Sequence, residues 1–176
     1  RCRLDLALEV LAQLGEIYLV RTAYDGVAEC ITRIRECLRK YPDDAIATRY
    51  RRRAEFLDAG LAAARGDHDA AAAARTALGT PTDDEHHYLA TFARILCAAA
   101  LCDDDLHHLA VPLWEQVLAD IDTPAGRYGD RLLVLAGIGY GGFCVQTGRL
   151  AEAEPWLRRA GARASARGWD LMTART

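Results

Sequence analysis

Three groups of residues have types and spacings that could do chemistry. The run Gly137-Ile138-Gly139-Tyr140-Gly141-Gly142 contains a G-x-G-x-x-G pattern at Gly137, Gly139 and Gly142. In a dinucleotide-binding unit those glycines let the backbone approach a pyrophosphate. Leu132-Leu133-Val134-Leu135, just before it, could pass for a strand. Such a fingerprint requires a βαβ unit of about 30 residues with an acid about 20 residues further on. Only 34 residues follow Gly142, and they read as helix. The glycines therefore read as places of close helix packing, and no cofactor is expected.

The second group is His86-His87 and His107-His108, each beside acids: Asp83-Asp84-Glu85 and Asp103-Asp104-Asp105. Imidazoles and carboxylates are metal ligands. The two pairs flank one predicted helix, and a 20-residue helix is about 30 Å long. That separation is too great for one ion, and no metal is expected. The third group is Arg49-x-Arg51-Arg52-Arg53, the one dense basic cluster. Asp43, Asp44, Glu55 and Asp58 dilute it, so it reads as a solvated helix face, not a direct nucleic-acid contact. Ser165 is the sole serine, and no nucleophile elbow, Walker loop or H-E-x-x-H occurs. The paired carboxylates fall at turns and caps. The chain is not expected to be an enzyme.

The elements that would position these residues are helical. Leu4, Leu8, Leu11, Leu14 and Tyr18 repeat at intervals of three and four, as do Val27, Ile31, Ile34 and Leu38. Breakers divide the chain into helices over 3–21, 25–40, 45–65, 68–78, 84–101, 106–120, 125–147 and 150–167. Pro42 with Asp43-Asp44 separates the second from the third. Thr82 and Glu85 form a T-x-x-E capping box, and Thr123-Pro124 reads as an N-cap with Pro at the first helical position. These are eight helices in four antiparallel pairs, about 3–40, 44–78, 83–121 and 124–167, and no strand is expected. Residues 169–176 read as the start of a further helix. The opening Arg1-Cys2-Arg3 is not a signal peptide, and the chain reads as a piece of a longer protein.

Composition agrees. Of the 176 residues, 51% are apolar, which argues against disorder. No run of about 18 uncharged apolar residues could cross a membrane. The six cysteines form no C-x-x-C pair and read as buried, reduced thiols of a cytoplasmic protein. Charge is uneven: residues 66–122 carry 11 acidic and 2 basic side chains, whereas 1–65 carry 12 basic and 10 acidic. An acidic middle between more basic ends could steer a basic partner or favour contacts between copies, so homo-oligomerisation stays open.

The pairs repeat. Their turns at Thr22, Gly66, Asp105 and Gly148 are 44, 39 and 43 residues apart, a period that indicates stacked helical hairpins. The last pair reads Tyr140-Gly141-x-x-Cys144-x-x-x-Gly148-Arg149-Leu150-x-x-Ala153-x-x-x-Leu157-x-x-Ala160. This resembles the tetratricopeptide repeat (TPR). The first pair supplies Leu14-Gly15, Tyr18, Val27, Ile31 and Ile34. The second supplies Ala59, Ala62, Gly66, Ala71 and Leu78, with Arg75 where an apolar residue is expected. The third supplies Cys97-Ala98, Leu101, Ala110, Trp114 and Val117, with Asp105 in place of the turn glycine.

The resemblance implies an all-α fold, a right-handed α-solenoid of about four TPR-like pairs over residues 1–176. The long period is similar to that in sensor arms of bacterial signal-transduction ATPases and large transcriptional regulators, the MalT-like group. Arg outnumbers Lys 21 to 1, which suits a GC-rich genome of actinobacterial type. The implied role is non-catalytic: transcription regulation or signal transduction through binding a protein, peptide or small effector, alongside other domains of the parent chain. The alternative is a structural or self-association spacer in a multidomain enzyme or cyclase. In such arrays the first helix of each pair lines a concave groove. The matching positions are Glu16, Arg53, Phe56, Phe92, Ile95, Leu135, Ile138 and Gln146. Their other role would be packing against an adjoining helix of the parent chain.

Overall fold

The computed structural model describes residues 2–42, 44–121 and 128–169. They form eight α-helices: α1 Cys2–Val20, α2 Tyr24–Lys40, α3 Asp44–Ala64, α4 His68–Ala77, α5 Asp84–Asp103, α6 His107–Ile121, α7 Gly129–Gln146 and α8 Leu150–Ala166. Among the described residues there is no strand, and Leu132–Leu135 lies inside α7. The fold is all-α. No described helix is long and apolar enough to cross a membrane. The caps expected at Asp43 and at Thr123-Pro124, and the helix expected after Trp169, lie outside the described residues.

Local backbone chemistry makes the hairpins. Thr22, Gly66, Asp105 and Gly148 all have positive φ, between 58° and 75°. In each case the following residue donates its N–H to a carbonyl five residues back: Ala23 to Tyr18, Asp67 to Ala62, Leu106 to Leu101 and Arg149 to Cys144, at 2.7–3.0 Å. The left-handed residue also donates to the carbonyl three residues back, at 3.0–3.2 Å. This is the Schellman end, which satisfies carbonyls that a terminating helix leaves open. Gly168 closes α8 the same way, with Trp169 donating to Ala164 at 3.0 Å.

Helix starts use side chains. Asp67 caps α4 by accepting from the Ala70 N–H at 3.0 Å. The start of α5 differs from the T-x-x-E expectation. The cap is Asp83, which accepts from the His86 N–H at 2.8 Å, and His86 Nδ1 accepts from the Thr82 N–H at 3.2 Å. The cap is thus one residue later than Thr82, and the bond returned to the His86 ring comes from the residue before the cap. Buried His86 offers a ring nitrogen where the motif usually offers a carboxylate.

The helices group into two compact units, divided between Thr80 and Pro81. In the first, α1 packs on α2 and α3, α2 on α3, and α3 on α4. In the second, α5 packs on α6 and α7, α6 on α7, and α7 on α8. The neighbour order is the same in both. A register of buried residues accompanies it. Seven residues before each left-handed position stand Gly15, Ala59, Ala98 and Gly141; five after stand Val27, Ala71, Ala110 and Ala153; twelve after stand Ile34, Leu78, Val117 and Ala160. All are buried. Small side chains, at the first position in every pair and at the second in the last three, let the two helices of a pair approach closely. Larger ones, such as Leu8, Tyr50 and Leu57 in the first unit and Trp114, Leu132 and Val134 in the second, fill the cores.

Candidate functional site

In the first unit the expected groove positions Glu16 and Arg53 meet where α1 packs on α3. Arg53 is 8% exposed. Its Nη1 lies 3.6 Å from Glu16 Oε1 and 3.3 Å from Glu9 Oε1. Glu9 also accepts from Arg49 Nη2 at 3.0 Å. The Tyr50 hydroxyl, fully buried, donates to Asp5 Oδ1 at 2.8 Å. Burial and the Asp5 carboxylate push the Tyr50 hydroxyl pKa up, since each disfavours the phenolate. The cluster sets three carboxylates of α1 against two arginines and a phenol of α3. Carboxylate and guanidinium groups taken out of water this far require each other, and removing one partner is costly. Phe56, one turn beyond Arg53 on α3, has no accessible surface.

In the second unit Phe92 and Ile95 are also buried, on α5. Leu135 and Ile138 are partly accessible on α7, and Gln146 is exposed at its end. With Gly142 they share one stripe of α7, at intervals of three and four. A methyl group added at Gly142 would meet nothing within 4 Å, so this part of the stripe is open. The accessible expected groove residues are therefore Glu16, Leu135, Ile138 and Gln146, with Arg53 at the margin. Phe56, Phe92 and Ile95 serve the cores of their units.

No family model, curated protein or solved structure matches this chain.

The glycine motif is resolved by what surrounds it. A Cβ at Gly137 would stand 2.8 Å from Ala160 Cβ and 3.0 Å from the Trp156 carbonyl oxygen, and one at Gly139 would stand 2.6 Å from the Trp114 ring. These glycines admit α8 and the Trp114 indole, and all three members of the pattern lie within α7. The histidine pairs begin α5 and α6. Among the described residues no three His, Cys, Asp or Glu side chains are grouped to hold a metal ion. The arginine cluster is dispersed around α3. Arg49 and Arg53, four residues apart, face the carboxylates of α1, while Arg51 stands exposed on another face.

Two features had escaped the sequence reading. Tyr88 stacks on Tyr128 with ring centroids 4.7 Å apart, and the Arg131 guanidinium lies over Tyr88 at 5.2 Å and over Phe92 at 6.0 Å. The spacing of Tyr88 and Phe92 at i and i+4 was a usable signal for one ring face; the arrival of Arg131 from α7 was not. The other is a groove of about 630 Å³ between α2 and α3, lined by Arg35, Arg39 and Arg51 over Leu38 and Ala54.

Proposed function

We propose that this chain is a non-catalytic binding domain, a right-handed solenoid of four TPR-like hairpins that serves as the sensor or interaction arm of a larger cytoplasmic regulator. The observation that carries the reading is the threefold register. The same offsets from four left-handed residues hold small or apolar buried side chains in all four hairpins. Stacked repeats need this pattern, because one hairpin alone cannot bury its apolar face. The ligand surface of the reading is the first-helix face of each pair, at Glu16 with Arg53 and at Leu135, Ile138 and Gln146. Half-buried aliphatic side chains beside an open glycine suit a peptide side chain or an amphipathic helix.

The test is a peptide array probed with the whole chain, followed by titration of the best sequence against Ile138→Asp and Glu16→Lys. Weakening of about tenfold in either variant, with an unchanged helical dichroism spectrum, supports the reading. Equal affinity in both variants rejects this groove. A second reading is favoured by the burial of Phe56, Phe92 and Ile95, which spend the largest apolar side chains on the cores. It makes the domain a spacer, and it predicts that no array sequence is retained.

A further inference from the structure

The groove between α2 and α3 lies on a different face of α3 from the Arg53 cluster. Its floor is Leu38 and Ala54, both buried, and its rim is Arg35, Arg39 and Arg51 with Thr32 and Glu55. Arg35 is held by the Glu55 carboxylate at 3.4 Å and by Asp58. Arg39 and Arg51 are exposed and have no hydrogen-bond or ion-pair partner among the described residues. Arg39 belongs to the last turn of α2, where a cation complements the helix dipole. Arg51 stands in the body of α3, and no helix end accounts for it. Two unengaged guanidinium groups thus face one groove with an apolar floor.

We propose that this groove docks an acidic peptide segment, with aliphatic side chains on Leu38 and Ala54 and carboxylates on Arg39 and Arg51. A guanidinium presents paired donors in a plane, which matches a carboxylate. A nucleic-acid strand fits the groove less well. Among the described residues no aromatic ring lines it for a base to stack on. Glu55 in the rim and neighbouring Asp58 would oppose closely spaced phosphates, whereas a peptide can place its acids to avoid them. The inference needs only α2 and α3 of the first unit and is independent of any repeat family.

The experiment is fluorescence anisotropy of the full chain with a labelled peptide of Glu, Asp and Leu, at low and at physiological salt. The Gln, Asn and Leu counterpart and an oligothymidylate are run beside it. The expected result is binding of the acidic peptide that weakens with salt. Arg39→Gln and Arg51→Gln should each weaken it by about fivefold, the size of one exposed charge pair, and together by more than about tenfold. Arg158→Gln removes an exposed arginine in the second unit that pairs with Glu154, and it should leave the affinity unchanged. Neither groove arginine has a hydrogen-bond or ion-pair partner among the described residues, so dichroism should be unaltered in both variants. The proposal is overturned by absence of binding at low salt, by equal loss in Arg158→Gln, by equal affinity for the amide peptide, or by tighter binding of the oligothymidylate.

Discussion

Gly137 of α7 and Ala160 of α8 are so close that a Cβ at position 137 would lie 2.8 Å from the Ala160 methyl. The gap is closed on a second side by the Trp156 carbonyl oxygen. Neither the Ala160 methyl nor the α8 backbone can swing aside, so the α7–α8 hairpin must open to admit one methyl group.

Gly137→Ala is therefore expected to lower stability by about 1–2 kcal/mol, overpacking outweighing the better helix propensity of alanine. Gly142→Ala should do the reverse. Its added methyl meets nothing, so only the propensity gain of about 0.5–1 kcal/mol remains. Urea midpoints of the two variants check the pair. The same sign for both would contradict the packing described.

Thr22 carries φ 58° although it is β-branched, at a turn where Gly66 and Gly148 use glycine. A non-glycine residue in that conformation costs about 1–2 kcal/mol. Thr22→Gly removes the cost but adds freedom to the unfolded chain and loses the hydroxyl bond to the Arg21 carbonyl. The expected outcome is a gain of up to about 1 kcal/mol. Gly148→Thr should lose about 1–2 kcal/mol. Thermal unfolding followed at the helical dichroism band reads both.

Tyr50 links stability to alkaline pH. Burial, then the Asp5 carboxylate, holds its hydroxyl proton in the folded chain above the ordinary tyrosine value. In the unfolded chain the proton leaves near pH 10. The native state binds more protons there, so stability falls as pH rises above about 10 and is whole below it. Tyr50→Phe should flatten part of that fall. At neutral pH it should cost about 1–2 kcal/mol, because Asp5 and Glu9 lose a donor. Denaturant titrations at pH 8 and above pH 10 measure both effects. Burial raises Tyr140 in the same direction, so some of the slope should survive.

The thiols of Cys30, Cys102 and Cys144 are pushed up chiefly by burial, which removes the reactive thiolate at neutral pH. Cys37 is partly accessible. With a disulfide-exchange reagent, Cys37→Ser should remove a fast phase from the native protein. Cys102→Ser should remove signal only after denaturation.

The helices and their turns were written locally. Residues within a few positions set a helix end, so Thr22, Gly66, Asp105 and Gly148 were legible as turns, and each proved left-handed. The small or apolar residues at fixed offsets from them were legible too, because a hairpin fixes which positions face each other. The cap of α5 was misplaced by one residue, since Thr82 and Asp83 are both good caps and only the burial of His86 chose between them. Side-chain fates depended on helices far along the chain. Arg49, Arg51 and Arg53 are alike in sequence, yet α1 brought carboxylates to two of them and left Arg51 exposed. Phe56 and Phe92 had the spacing of a groove lining, and tertiary packing made them core. Gly137 and Gly142 belong to one motif, but α8 crosses only the first. The chain alone determined which residues are helical and where they turn, because those preferences act over one helical turn. Which face meets which partner was decided by packing, because excluded volume and charge pairing act between residues tens of positions apart.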